Sequence, residues 1–397
     1  MSEWKKVRLG ELCDFINGGA WSDKEYAPEG IPVLKVTNCK NSGFSLSELS
    51  YLPHSLEQKY IQNKLQRNDV IIATVGSHPN LVNSSAGRSV IVNSFVEGFY
   101  LNQNAVCIRT KDEEILDQLF WGYYSKYYLF QNYIQMRGKG AANQMRIAIS
   151  AIKNYPMPLP PINVQRHIAS ILSRYDSLIE NYQKQIKLLE EAAQRLYKEW
   201  FVDLHFPGHE KTKIVDGVPE GWEKKKVGYL IAKSQRTKQV PANEYLKTGS
   251  IPVIDQSRNY IAGYTNDDEC LVSVTTPYII FGDHTRVLKF IPFPFAKGAD
   301  GTQLIMSNDL NRMPQSLFYN SLINIDLSNY SYARHFKYLK EEEIIVSTTD
   351  VSMKYDLLVS KYYQCIQNNR EQIHLLTEAR DRLLPKMMSG EIEFNFK

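Results

Sequence analysis

The chain has 397 residues, of which 43% are hydrophobic and 23% charged, and its 47 basic and 43 acidic residues leave a net charge of +4. This length predicts two or three domains, each able to bury a core. The five cysteines lie far apart with no CxxC, nothing resembles a secretory signal, and no run of 18 apolar residues occurs. We therefore expect a cytoplasmic protein without a disulfide framework, a zinc site or a membrane-spanning segment.

Residues 1–158 are predicted to form a first α+β module. Short β-rich runs at 70–74, 89–92 and 105–108 are bounded by glycine or asparagine, which is typical of strands. An aromatic-rich run at 116–133 predicts a helix. The prolines at 156, 158, 160 and 161 favour a stiff polyproline II connector into the next element.

Charge is unevenly distributed in this first module. No Asp or Glu occurs between Asp117 and Asp176, a gap of 58 residues. Arginine can bridge guanine and an amide side chain can bridge adenine, whereas lysine more often contacts phosphate. A solvated basic loop that serves solubility is the alternative, but contact with a polyanion explains the missing acids more simply. The candidate DNA-binding residues at the centre of this stretch are Arg137, Lys139, Asn143, Gln144 and Arg146.

Residues 159–205 predict the first long helix. From Leu172 onward, apolar residues recur at alternating steps of three and four, the seam pattern of a coiled coil. The seam positions are Leu172, Tyr175, Ile179, Tyr182, Ile186, Leu189, Ala193, Leu196 and Trp200.

A linker at 206–221 is predicted to lead into a second α+β module at 222–346. His205 and His209 flank Phe-Pro-Gly at the linker, where a plain connector is a better interpretation than a metal site. The run at 278–281 predicts a central strand. Asp283 beside His284 could indicate a catalytic pair, but no third group stands at a recognisable spacing. The candidate DNA-binding residues of this module are His284, Arg286, Arg334, His335 and Lys337.

Residues 347–390 predict the second long helix, followed by a tail at 391–397. Its seam positions are Val359, Tyr362, Ile366, Asn369, Ile373, Leu376, Arg380, Leu383 and Met387. Asn369 either sets the register of the seam or faces solvent. Pro385 is expected to end or kink the helix, because proline lacks an N–H and clashes with the preceding turn.

The chain repeats itself. At an offset of 187, ten of the eighteen positions of 179–196 are identical to those of 366–383, and a weaker echo at offset 218 pairs Trp4 with Trp222 and Gly10 with Gly228. This repeat predicts an α+β protein with two pseudo-repeated domains separated by two long helices that form an antiparallel coiled coil. Two separate helices, each lying on its own module, are the alternative.

Several enzyme signatures are missing from the sequence. There is no GxxxxGK[ST], and the only Pro-Pro lies in Leu159-Pro-Pro-Ile162 rather than in an amino-methyltransferase motif. We therefore expect any chemistry to come from a partner.

The chain resembles the DNA-specificity subunits of type I restriction–modification systems over essentially its whole length. The resemblance rests on residues 156–161 with Gln165 and 168–171, and on 200–203, 217–222, 280–286, 299–302 and 383–392, in the family's order. It implies two target-recognition domains that each read one half of a bipartite site in double-stranded DNA. It also implies a helical spacer that docks two methyltransferase subunits.

The same resemblance places the cofactors and the remaining partners outside this chain. The subunit itself would be non-catalytic, with no cofactor or metal, and S-adenosylmethionine, Mg²⁺ and ATP would belong to partner subunits. Restriction subunits would join the complex, and no membrane would be involved. One departure is visible: residues 341–347 replace the proline-rich segment, so the second hinge is expected to be set differently. A stand-alone DNA-binding protein and an enzyme in its own right are the alternative functions.

Overall fold

The computed structural model describes residues 4–40, 43–46, 49–77, 85–141, 144–233, 237–298, 301–330 and 334–392. The chain divides into two compact units. The first unit comprises residues 1–181 and 372–397, and the second unit comprises 182–371. Each unit thus contains one module and one part of each long helix. The predicted boundaries at 158, 205, 221 and 346 follow the order of modules and helices along the chain. As boundaries between domains, they stay a prediction.

The first long helix spans Ile162–Tyr197 and continues as a π-helical turn, Lys198–Val202, and the second long helix spans Thr349–Met388. In the first unit, Leu172 lies in one hydrophobic cluster with Leu384 and Met387. In the second unit, Ala193 shares a cluster with Tyr355 and Val359. The two helices therefore run antiparallel within each unit, which confirms the predicted pairing and fold class. The helices also pack on the modules of their units, but they are paired and not separate, so the alternative of two separate helices is wrong.

The predicted seam is buried or partly buried throughout, and its two polar positions have partners. Asn369 is 9% exposed, and its Nδ2 donates to Oε1 of Gln185 on the facing helix at 3.2 Å. This contact favours the register interpretation of Asn369. Arg380 forms an ion pair with Asp176, whose other oxygen accepts from the Tyr123 hydroxyl at 2.7 Å. The second helix continues through Pro385 and ends three residues later, at Met388.

The first module is built mainly of small antiparallel sheets. A four-stranded sheet contains, in spatial order, Cys13–Asn17, Ala105–Thr110, Val70–Ala73 and Ser89–Ile91. A three-stranded sheet contains Tyr100–Leu101, Ile31–Leu34 and Ser50–Leu52, and another contains Lys139–Ala141, Gln144–Arg146 and Val75–Gly76. Two further pairs join Lys5–Arg8 to Pro156–Leu159 and Cys39–Lys40 to Gly43–Phe44.

The helices of the first module are short. The α-helices are Leu9–Leu12, Gln118–Tyr124, Tyr128–Gln135 and Ile149–Lys153, and the 3₁₀ turns are Asp23–Glu25, Val36–Asn38, His54–Leu56 and Gln58–Asn63. The single helix predicted at 116–133 is therefore two helices. The buried Ser125 hydroxyl donates to the Gly122 carbonyl at 2.6 Å where the first of them ends. A side-chain hydroxyl that competes for a helix carbonyl in this way favours a break.

The second module repeats part of this sheet arrangement. One sheet contains Gln239–Val240, Phe295–Gly298, Ile251–Ile254 and Gly263–Thr265, with Leu271–Val272 also paired to Phe295–Gly298. The others contain Leu288–Ile291, Tyr278–Gly282 and Thr302–Ile305, then Glu223–Lys226 with Glu343–Val346, and Ile214–Val215 with Val218–Pro219. Its α-helices are Val227–Leu230, Gln315–Ile323 and His335–Glu341, and its 3₁₀ turns are Ala242–Glu244 and Asp268–Cys270, with a further 3₁₀ turn, His209–Lys211, in the predicted linker.

The internal repeat is visible in the backbone pairing of the two modules. Lys5 faces Leu159 in the first module, and Glu223 faces Val346 in the second. These pairs are related by the two sequence offsets, 218 for one strand and 187 for the other, so both modules close in the same register. The expectation of a polyproline II connector is therefore wrong for residues 156–159, which form a paired strand, whereas the expectation of a differently set second hinge stays a prediction. Pro156 and Pro158 fit this strand because it lies in a two-stranded ribbon, where a missing N–H is tolerated.

A repeated glycine explains why the weaker echo includes Gly10 and Gly228. An added Cβ at Gly10 would lie 3.0 Å from Cβ of Lys153, and one at Gly228 would lie 3.1 Å from the Lys340 carbonyl oxygen. A side chain at either position would crowd the chain just before the closing strand, so glycine suits the close approach of the short helix that follows the first strand of each module.

The predicted linker is part of the second unit's core. Phe206 and Val218 are buried, and the Phe206 ring lies 4.6 Å from that of Trp222. Cys13, Cys39, Cys107 and Cys270 are buried free thiols and Cys365 is exposed. Among the described residues, none of the helices combines the length and apolar character that a bilayer crossing requires.

Candidate nucleic-acid interface

A basic hairpin in the first module carries the central candidates. Lys139–Ala141 pairs with Gln144–Arg146, and Lys139 stands directly opposite Arg146. Both side chains are exposed. Like charges directly opposite each other on antiparallel strands are destabilising, so this pair favours an external anion over a purely structural role. Asn143 lies outside the described residues, and Gln144 belongs to the second strand of the hairpin.

The sheet anchors this hairpin to the module core. Arg146 pairs with Val75 and Met145 with Gly76, just after the central strand Val70–Ala73. Met145 is 2% exposed, so its side chain fixes the hairpin while its neighbour Arg146 faces outward. The alternation of inward and outward side chains along a strand accounts for this division.

Arg137 is held beside the hairpin by an aromatic ring. Its guanidinium carbon lies 3.5 Å from the centroid of the Tyr133 ring, and its Nη1 donates to the Tyr133 carbonyl at 3.0 Å. The side chain is exposed, so stacking orients the cation without removing it from solvent.

The long acid-free stretch does not form one basic surface. Much of it is core, including Phe120, Trp121 and Phe130, all 0% exposed. Burial alone therefore accounts for many of the missing acids. Of the predicted basic stretch, the segment from Arg137 to Arg146 is the part whose candidate cations lie on the surface.

Asp283 brings the candidates of the second module together. Asp283 is 4% exposed, and its Oδ1 accepts from the Phe336 N–H at 2.8 Å, while its carbonyl accepts from the His335 N–H at 2.9 Å. These bonds join the turn that contains His284 and Arg286 to the start of the helix His335–Glu341. Asp283 is thus committed to backbone contacts, and the structure gives no support to the catalytic-pair alternative.

The second-module candidates differ in accessibility. His284, Arg286, Arg334 and Lys337 are exposed. Arg286 has a left-handed φ of 59°, and its Nη1 donates to the Leu327 carbonyl at 3.0 Å, so the turn aims it in a defined direction. His335 is 5% exposed, with Nδ1 2.9 Å from the Asp283 carbonyl and Nε2 3.1 Å from the Tyr330 carbonyl. The expectation that His335 touches DNA is therefore wrong, because its burial leaves it to hold the loop.

Two neighbouring residues, Gln256 and Lys289, support this site in roles that the sequence did not indicate. The Gln256 side chain accepts from the His284 N–H at 3.1 Å, and its carbonyl accepts from the Thr285 hydroxyl at 2.6 Å. Lys289 is 4% exposed and donates to the carbonyls of Asp255 and Asn259 at 2.7 and 2.5 Å. Neither residue stands in a motif, because both roles depend on contacts with residues about 30 positions away in the chain.

No metal centre is evident in the described ranges. There, no three His, Cys, Asp or Glu side chains are grouped so as to hold an ion. The His205 ring is 3.2 Å from a Glu199 oxygen, and that of His209 is 2.9 Å from the Phe206 carbonyl.

The long helices also carry an exposed pattern that occurs twice. Beside the seam, one row of identical residues recurs at offset 187, with the spacing of a single helix face. Its apolar member is exposed in both copies: Leu188 is 63% exposed and Leu375 is 56% exposed. The row consists of Asn181, Gln185, Leu188, Ala192 and Arg195 on the first helix and Asn368, Gln372, Leu375, Ala379 and Arg382 on the second.

Comparisons with known proteins point to one group. Residues 1–191 match the family described as the type I restriction modification DNA specificity domain. The chain is 29% identical over 271 residues to the type I restriction enzyme MjaIX specificity subunit of Methanocaldococcus jannaschii, a match that covers 61% of this chain and 62% of that protein. It is 32% identical over 102 residues, 25% of each chain, to the EcoR124I/EcoR124II specificity subunit of Escherichia coli.

A solved structure has the same fold. The type I restriction–modification system S subunit from M. genitalium superposes with a TM-score of 0.56 at 20% sequence identity, covering 97% of this chain and 96% of that one. The aligned part of the MjaIX subunit is less than two thirds of its length.

Proposed function

We propose that the chain, which is similar to the DNA-specificity subunits of type I restriction–modification systems, is itself such a subunit, and that its two modules read the two halves of a bipartite double-stranded DNA sequence. The observation that carries the proposal is one scaffold used twice with different exposed cations. The closing strands of both modules pair in the same register, whereas the basic segments lie on a hairpin in one module and on a turn and helix start in the other.

In the first module, Arg137 and Arg146 would contact bases and Lys139 would contact phosphate. Stacking on Tyr133 limits the freedom of Arg137, which reduces the entropy lost on binding. Strand pairing fixes the backbone of Arg146, so its guanidinium extends from a fixed position and can make a bidentate contact with guanine. Asn143, which lies outside the described residues, and Gln144 keep their predicted roles here as part of the proposal.

In the second module, His284, Arg286, Arg334 and Lys337 would form the corresponding contact. Their common anchor is Asp283, which holds two chain segments more than 50 residues apart. His335 and Gln256 would support these residues from beneath.

The repeated exposed row on the long helices would dock two copies of one partner, the methyltransferase subunit. Identical exposed side chains on two helices suit two identical binding surfaces, and an exposed leucine at each centre suits burial in an interface. This chain would be non-catalytic. S-adenosylmethionine, Mg²⁺ and ATP would be used by the methyltransferase and restriction subunits.

Substitution of Arg146 by alanine tests the reading role. Loss of a good bidentate base contact should cost about 1–3 kcal/mol of discrimination at one position of one half-site. In contrast, Lys139→Ala should weaken binding to all sequences alike and reduce the salt dependence. The measurement is binding of the full chain, co-purified with its methyltransferase subunits, to duplexes that carry the site found by methylation-aware sequencing of host DNA.

Arg174→Ala is the matched control, since Arg174 is an exposed cation of the same acid-free stretch on the first long helix. It should leave half-site preference unchanged. If Arg146→Ala lowers binding equally on every sequence, Arg146 contacts phosphate only. Absence of any bipartite methylation motif would contradict the proposed function itself.

A further inference from the structure

A buried carboxylate fastens the first module to the first long helix. Glu180 is 8% exposed, and its two oxygens accept from Nη1 and Nη2 of Arg67 at 3.3 and 2.8 Å. One of these oxygens also accepts from the Ser94 hydroxyl. A bidentate guanidinium–carboxylate contact is strong, and it also fixes the relative orientation of the two side chains.

The two partners of Glu180 come from turns at one end of the module's central strands. Arg67 precedes Val70–Ala73, and Ser94 follows Ser89–Ile91, its antiparallel neighbour. At its other end, Val70–Ala73 runs on into Val75–Gly76, which pairs with the basic hairpin. A strand connects the helix contact to the candidate DNA-binding hairpin, so rotation of the module on the helix would move the hairpin.

In the second unit, the corresponding helix position makes the equivalent contact with other chemistry. Gln367, which is Glu180 shifted by 187, has its Oε1 3.5 Å from the Tyr260 hydroxyl. One turn further on, the Arg370 guanidinium lies 3.9 Å from the Tyr260 ring and pairs with Glu190 of the first long helix at 3.1 Å.

Tyr260 also contacts the strand that leads to the second candidate interface. Its hydroxyl donates to the Phe290 carbonyl at 2.7 Å. Phe290 belongs to Leu288–Ile291, and the turn before this strand contains His284 and Arg286. In both modules, therefore, one end of a strand pair contacts the long helices, and the opposite end of that pair leads to the exposed cations.

We propose that Glu180 with Arg67, and Arg370 with Tyr260, are positioning residues that hold each module at a fixed angle on the helix pair and thereby set how strictly the subunit demands one gap between its half-sites. The proposal rests on the proposed function, because a gap preference exists only for a bipartite reader. In this proposal, four residues that contact no base determine how strongly the subunit prefers one gap length. Helix length sets the preferred gap, and these contacts limit the deviation from it.

Binding to duplexes with altered gaps tests this proposal. The full chain, co-purified with its methyltransferase subunits, is titrated with duplexes that carry its methylation-derived site at the native gap, or at a gap one base pair longer or shorter. In Glu180→Gln, the preference for the native gap should fall about three- to tenfold, a usual size for the coupling between contacting residues. The preference for the correct bases within each half-site should stay as in the wild type.

Arg67→Met should reproduce this loss, and the exchanged pair Arg67→Glu with Glu180→Arg should recover part of the gap preference. Asp350→Asn is the control, because within the described residues the contact of the Asp350 carboxylate is an exposed i,i+4 pair with Lys354 on the second long helix. Tyr260→Leu should relax the gap preference from the second unit. Arg67→Lys, which keeps the charge, replaces any variant whose thermal unfolding shows loss of fold.

The outcomes separate the two hypotheses. If wild-type complex shows no preference for a bipartite site, the proposed function fails. If the wild type prefers one gap and Glu180→Gln and Arg67→Met lose affinity equally at all gaps, Glu180 and Arg67 are merely structural and the inference is overturned.

Discussion

Lys289 shows how one residue changes meaning between sequence and structure. In sequence it stands near His284 and Arg286, as one more cation of a basic segment. In the structure it is buried under the loop 255–259, where its ammonium donates to two carbonyls and lies 3.8 Å from an Asp255 oxygen. Burial lowers the pKa of Lys289 from 10.5 to about 8, against the opposing effect of Asp255. It therefore shapes the loop beneath the interface.

The lowered pKa of Lys289 predicts a pH dependence of stability. Between pH about 8 and 10.5 the unfolded chain holds this proton more tightly than the folded chain, so the contribution of Lys289 to the free energy of unfolding rises with pH. Below about pH 8 both states are protonated and the contribution is constant. Lys289→Met should remove this rise, as measured by denaturant unfolding of wild type and variant across that window. Lys224→Met, at an exposed lysine of the same module, is the control; an identical pH difference in both variants would contradict the assignment.

At the scale of elements, the long helices combine three faces. The seam joins them to each other, a second face packs on the modules, and a third face presents the repeated row, whose two leucines are exposed. Polar seam positions have specific partners, Asn369 with Gln185 and Arg380 with Asp176. These pairs favour one register, since a shift would leave a buried polar group without its partner.

The repeated row predicts two separable docking sites. Leu188→Lys and Leu375→Lys should each remove one methyltransferase subunit from the complex, because a charge at the centre of an apolar contact is costly to bury. The double variant should lose both. Native mass measurement of the co-purified complex reads the number of bound subunits.

Leu178→Lys is the matched control for the docking prediction. Leu178 is 46% exposed on the same helix, but Cys365 stands at its repeat position, so it does not belong to the repeated row. It should retain both subunits. Full binding by the double variant would exclude this face as the docking surface.

At the scale of the whole molecule, each long helix is divided between the two units, so neither helix belongs to one module alone. The division into units falls between Asn181 and Tyr182 on the first helix and between Glu371 and Gln372 on the second. The first unit is completed by a helix segment, 372–388, that lies far from its module in sequence, whereas the second unit is one continuous stretch of chain, 182–371. Folding of the first unit therefore requires distant parts of the chain to meet, although the sequence order suggests one helix per module.

Insertion of one heptad into each helix at this division should lengthen the preferred gap. Seven residues add about 10 Å of helix while keeping the seam aligned to within about 20°, and about three base pairs of DNA span that length. Methylation-aware sequencing of DNA modified by the variant complex measures the new gap. Insertion into one helix alone should abolish assembly, since the seam partners of the other helix would be displaced. An unchanged gap in the doubly extended chain would contradict the spacer role.

The repeat, the long helices, their seam and several strands were predictable from the sequence, because strand and helix patterns and the offset of 187 are visible along the chain itself. Accessibility was not: Arg146 and His335 look equally basic in sequence, yet one is exposed and the other is 5% exposed. Nor was the contact of Arg67 with Glu180, 113 residues apart, or the sharing of each helix between two units. These depend on which distant segments pack together, and only the tertiary structure decides that, because burial and hydrogen-bond partners are properties of the packed chain.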